Sequence, residues 1–131
     1  MKRKIINPWA WQDQLGYVQA NEVSGAQRTL FVAGQASVDE EGRPVHPEDM
    51  GAQIARSMDN LETVLRRARA ELSDVVRLNY FAADVDRFFE AYGGGVGRLT
   101  EAGCRSASTL AGVERLAYPE LLVEIEATAV A

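Results

Sequence analysis

The chain has one cysteine, Cys104, and one histidine, His46. A lone thiol closes no intrachain disulfide, and without a His/Cys pair neither zinc ligation nor a nucleophilic triad has its residue set. A reducing cytoplasm is the expected compartment. Long apolar runs are missing too. No stretch approaches the roughly 20 apolar residues of a membrane helix, and the basic start Met1-Lys2-Arg3-Lys4 leads into an apolar run too short for a signal peptide. Positive charge is scarce: 14 Lys and Arg face 19 Asp and Glu, a net charge of -5. The field that gathers nucleic-acid phosphates is therefore absent. The expected partner is a small molecule, with no nucleic acid and no membrane.

No low-complexity tract, linker or fixed-period repeat divides the 131 residues, so residues 1–131 read as a single domain. Apolar residues make up 47% of the chain, enough for a real core. Tyr17–Val23 and Arg28–Gly34 have strand character around a Ser24-Gly25-Ala26 turn, which predicts an antiparallel hairpin. From Asp49 to about Ala70 the apolar positions Met50, Ile54, Met58, Leu61, Leu65 and Ala68 recur at helical spacing. Asp74–Ala83 predicts a strand, and a second helix should follow Asp84-Val85-Asp86, carrying Phe88, Phe89, Tyr92, Val96 and Leu99. Gly93-Gly94-Gly95 lies inside that window and predicts a helix that is kinked, late-starting or locally mobile, with tight backbone packing as the ordinary alternative. Ser106–Leu116 and Leu121–Ala129 close the chain as two strand-like runs around Ala117–Glu120. The fold class is α+β, in the order ββαβαββ: a mixed sheet with both helices on one face. The other face then awaits neighbouring subunits.

Four pieces in this order, Phe31–Gln35, Gln53 through Asn60-Leu61, Asp74–Leu78 and Val123–Ala127, resemble the RidA/YjgF family over nearly the whole chain. The resemblance implies a chorismate-mutase-like homotrimer with a barrel-like core and a pocket in each cleft between subunits. It implies a hydrolase that turns small reactive enamines and imines, such as 2-aminoacrylate, into the 2-oxo acid and ammonia, needing neither metal nor organic cofactor. Ribonuclease activity attached to some members fits poorly with an acidic chain that has no basic, aromatic-interleaved patch.

The family's deaminases grip the substrate carboxylate with an arginine, whose planar guanidinium matches a carboxylate fork. Registering on Arg115-Leu116 and Glu124-Ile125-Glu126 sets Ser108 at that position, while a three-residue shift would set Arg105 there. Both readings stand. Without the clamp, Ser108 and Thr109 offer hydroxyls to a neutral or differently charged ligand. Glu124 and Glu126 share one strand face, and the resemblance makes Glu124 the residue that holds the attacking water. Tyr17 matches a tyrosine bordering the family pocket, Gly34 allows close backbone approach, and Gln35 is a secondary candidate. Each of these has an ordinary structural alternative, from strand packing to an acidic stripe or an intersubunit ion pair.

His46 sits in a proline-flanked loop and reads as solvated. Cys104 reads as a bland residue at a helix end. Trp9 and Trp11 either anchor the terminus on the core or form an aromatic wall for a larger, flatter ligand. Two other functions remain open: a relative of this fold running a different reaction (condensation, cyclisation or hydrolysis) in a specialised pathway, and a noncatalytic ligand-binding trimer.

Overall fold

A computed structural model describes residues 1–131. The first strand, β1 (Lys2–Ile6), runs antiparallel to β2 (Ala20–Ser24), with Lys2 opposite Ser24 and Ile6 opposite Ala20. Four further strands, β3 (Thr29–Ala36), β4 (Val75–Ala82), β5 (Ala107–Gly112) and β6 (Val123–Val130), form a sheet in the order β3-β6-β4-β5. The β4–β5 pair is parallel, and β6 is antiparallel to both its neighbours. With three helices, α1 (Met50–Arg67), α2 (Val85–Ala91) and α3 (Gly93–Glu101), this is the expected α+β class with a mixed sheet.

The apolar stripe expected of α1 is buried: Met50, Ile54, Met58, Leu61 and Leu65 join the core. Their targets are Val123, Ile125, Ala127 and Ala129, the alternate residues of β6 that point the same way. At the N-terminus of α1 the Asp49 carboxylate accepts a hydrogen bond from Ala52 N at 3.0 Å. At the other end the Arg28 guanidinium donates to the carbonyls of Ala68 and Arg69, which no helical N–H reaches. The cap makes a direct prediction. Asp49→Ala should cost about 1 kcal/mol in denaturant-melt stability, whereas Asp49→Asn should cost a fraction of that; equal stability for Asp49→Ala and wild type would contradict the capping role.

Three sequence expectations need correction. First, the early hairpin does not form, because β2 pairs with β1 while β3 pairs with β6. The backbone N–H groups of Gln27 and Arg28 both donate to Ala131 O, steering the chain after the turn onto the C-terminal strand. The strand at Lys2–Ile6 was hidden by its basic residues, and Arg3 ties it down through bonds to Asn21 Oδ1, Ser73 O, Val75 O and Arg105 O. Second, the second helical window is two helices meeting at Tyr92, so Gly93-Gly94-Gly95 opens α3 rather than interrupting it. In a first turn the N–H groups lack helical partners anyway, which lowers the cost of glycine there. Of the three only Gly95 is tightly packed, where a Cβ would stand 3.0 Å from Met58 Cε; nothing crowds Gly93 or Gly94. Third, the strand-like run expected over Ser106–Leu116 stops at Gly112, with β5 on the outer edge of the sheet and β6 inserted between β3 and β4.

The face of the sheet opposite α1 carries Phe31, Arg77, Asn79, Glu124, Glu126 and Thr109, and no element covers it. Phe31, paired with Thr128, is 80% exposed.

Candidate functional site

On the β3 side the ladder between β3 and β6 shifts register between Val32 and Gln35. Gln35 Nε2 donates to Ala33 O at 3.1 Å across this bulge. Gly34 lies within it, and a Cβ there would stand 2.0 Å from Glu124 Oε1. Only glycine leaves the carboxylate that room. Glu124 is half-buried and has no hydrogen bond or ion pair, in contrast to Glu126, which accepts from Asn79 Nδ2 at 2.9 Å. The Oδ1 of Asn79 is buried without a partner on the same face. The chain therefore presents one unspent carboxylate over a bare backbone, beside a polar group that is still unsatisfied.

At the opposite edge, Tyr17, Ser108 and Thr109 share a cavity of about 190 Å³. Its walls are mainly aromatic: Tyr80, Phe88, Phe89 and Tyr92 stand with Tyr17 around it. Phe88 and Tyr92 stack with centroids 4.7 Å apart, and Tyr80 meets Tyr92 edge-on at 5.3 Å. Ser108 pairs in register with the buried Leu78, which sets it on the helix side of β5, and its Oγ lies 3.0 Å from Ser106 Oγ. Burial pushes the phenols of Tyr80 and Tyr92 above their ordinary range, so both stay protonated. Trp11 packs edge-on against Tyr17 at 6.4 Å and is 60% exposed, as is Trp9 at 59%; neither indole anchors the terminus in the core.

Arg105 lies outside the aromatic cavity. It precedes β5, borders a separate depression with Tyr17, Gly16 and Cys104, and its exposed guanidinium makes no hydrogen bond or ion pair within the chain. Only its carbonyl is used, accepting from Arg3 and Asn21. Cys104 is buried, and burial pushes its thiol up, away from the reactive thiolate. His46 is exposed in its loop at φ 59°, and no cluster of His, Cys, Asp and Glu is arranged to hold a metal.

The structure thus sorts the sequence candidates into two groups. Gly34, Gln35 and Glu124 lie on the β3–β6 side, while Tyr17, Ser108 and Thr109 lie at the β5 edge with Arg105 near them. Strands β3 and β5 are three spacings apart, about 14 Å, too far for one small ligand to touch both within a chain. Sequence reasoning missed Tyr80, Phe88, Phe89 and Tyr92 as pocket walls. It had assigned them to strand and helix faces, and the Phe88-to-Tyr92 spacing of four residues was the one available sign that two rings would meet.

Comparison with known proteins extends these observations. The family model described as endoribonuclease L-PSP matches residues 11–131. A conserved Rid family protein from Yersinia pestis is 36% identical, with a TM-score of 0.89 over 100% of both chains. The E. coli YjgF gene product is 28% identical, with a TM-score of 0.70 over 87% of each chain. E. coli TdcF, whose structure holds bound serine, is 25% identical with a TM-score of 0.71, covering 88% of this chain and 87% of that one. Protein DfrA of Myxococcus xanthus is 34% identical over 97 residues, 71% of this chain and 73% of its own. A RutC family protein from Pyrococcus abyssi is 34% identical over 59 residues, 45% of this chain and 46% of its own length.

Proposed function

Because this chain belongs to the YjgF/Rid family, we propose that it is a homotrimeric hydrolase of small reactive enamines and imines, with its sites in the clefts between copies. The observation that carries the reading is the unpartnered Glu124 carboxylate held over Gly34 on a face that nothing in the chain covers. Each cleft would join the Gly34–Glu124 side of one copy to the Tyr17–Ser108 edge of the next. The two-group distribution of the candidates supports this, since neither half is a complete site alone. The exposed Phe31 supports it as well, because an isolated ring on an open sheet face gains from burial in an interface. Serine bound to the similar TdcF suits a cleft built for small metabolites.

In the proposed step Glu124 takes a proton from a water molecule as the oxygen attacks the imine carbon. The carbon–oxygen bond forms, Glu124 passes that proton to the nitrogen to give the amine, and transfer of the hydroxyl proton to the same nitrogen as the tetrahedral intermediate collapses breaks the carbon–nitrogen bond. Ammonia leaves and a carbonyl compound remains. An enamine first tautomerises to the imine. No redox change occurs and no cofactor enters the balance.

Two measurements test the reading together. Light scattering should give the mass of a trimer at micromolar protein, and Phe31→Asp should shift it to monomer and lose hydrolysis with it. Imines generated in situ, one small (2-aminoacrylate) and one aryl-substituted, should release ammonia faster with the protein than without. A stable wild-type monomer, or no acceleration of either imine, would sink the proposal.

A further inference from the structure

The cavity at the β5 edge holds information about which ligand the cleft accepts. An apolar cavity of about 150 Å³ accommodates a benzene molecule, so the roughly 190 Å³ here has room for one six-membered ring. Its wall supplies what a ring prefers: the stacked pair Phe88 and Tyr92 offers faces, and Tyr80 offers an edge.

The polar groups that line this space are uncharged hydroxyls, each with a proton to give as well as lone pairs. Tyr92 Oη donates to Tyr80 Oη at 2.8 Å, and the proton of Tyr80 itself then meets nothing, although Tyr80 is only 3% exposed. Ser108 adds a hydroxyl to the wall, and its Oγ lies 3.0 Å from that of Ser106 behind it. A buried donor left unpaired is costly, and an acceptor on a ligand removes the cost.

Cations are missing from the wall. Ser108 lines the cavity, Arg105 borders the neighbouring depression, and the Arg77 guanidinium bonds Thr109 Oγ1 at 3.1 Å on the open face of the sheet. A carboxylate entering this cavity would give up its water for neutral rings and hydroxyls, with no countercharge to compensate.

We infer that the cavity receives an uncharged aromatic ring bearing a hydrogen-bond acceptor, in place of an amino-acid carboxylate; the inference rests on reading this edge as half of the cleft. Benzamide, benzoate and serine, titrated separately into the wild-type assembly, discriminate the cases. Benzamide should bind saturably and about tenfold or more tighter than either anion-bearing probe, shifting the aromatic resonances of Phe88 and Tyr92. Ser108→Arg should bring benzoate up to or past benzamide. Benzoate or serine binding as tightly as benzamide to wild type overturns the inference, as does the absence of saturable benzamide binding at millimolar concentration. Hydrolysis confined to small imino acids also overturns it and leaves the hydrolase reading standing. Benzamide binding without hydrolysis of any imine supports the ring preference and removes the hydrolase.

Discussion

Glu124→Gln should lower the rate of imine hydrolysis by about 10²–10⁴-fold, the usual contribution of a positioned general base, and leave the oligomeric mass unchanged. The amide keeps the size of the side chain and its place over Gly34, so packing is preserved while the capacity to take a proton from water is lost. Glu126→Gln is the matched comparison. Glu126 is already engaged by Asn79 at 2.9 Å, so this variant should retain most of the activity. Gly34→Ala reaches the same carboxylate by another route. Its Cβ would fall 2.0 Å from Glu124 Oε1, and because Gly34 does not require a left-handed backbone, the damage is displacement of Glu124 rather than strain in β3. Rates for the three variants, with mass and melting temperature measured in parallel, give the result. A Glu124→Gln protein as active as wild type would remove Glu124 from the chemistry.

The second large effect concerns the aromatic wall. Phe88 is 1% exposed and in ring contact with Tyr80, Phe89 and Tyr92, at centroid distances of 5.5, 5.9 and 4.7 Å. Phe88→Ala should destabilise the chain by about 3–5 kcal/mol, through lost transfer energy and the cavity left behind. For a chain of this length that corresponds to about 10–20 °C in melting temperature. Phe88→Leu, which keeps most of the volume, should recover much of the loss. A fall of less than about 3 °C for the alanine variant would mean that the surrounding rings collapse into the space, and the wall would then be more plastic than its stacked geometry implies.

Local patterns carried a good part of the fold. The stripe from Met50 to Leu65 anticipated α1, and Asp49, where the sequence opened that helix, is its cap. The strand expected over Asp74–Ala83 is β4 at Val75–Ala82. The alternation in Val123–Ala127 set Glu124 and Glu126 on the face opposite Val123, Ile125 and Ala127, as the burial of β6 shows. Such features depend on residues within one or two turns of each other, and spacing alone expresses them.

Strand partners were a different matter. Alternation states which way a side chain points, not which strand lies beside it, so the hairpin inferred for Tyr17–Val23 and Arg28–Gly34 lost to pairings with Lys2–Ile6 and Val123–Val130. The site shared that dependence. Sequence supplied Gly34 and Glu124 as separate candidates; their contact exists only because β6 lies against the bulge in β3. It supplied Tyr80 and Tyr92 as parts of a strand and a helix; their 2.8 Å hydroxyl contact exists only because the chain turns α2 and α3 over the β5 edge. The sequence by itself determined the elements, the face each one buries and the scarcity of cations and metal ligands. Tertiary structure alone decided which elements are neighbours, and with that the division of the candidate site between two edges, because pairing between strands as far apart in the chain as Thr29 and Val130 is selected by how the whole core closes and not by any local pattern.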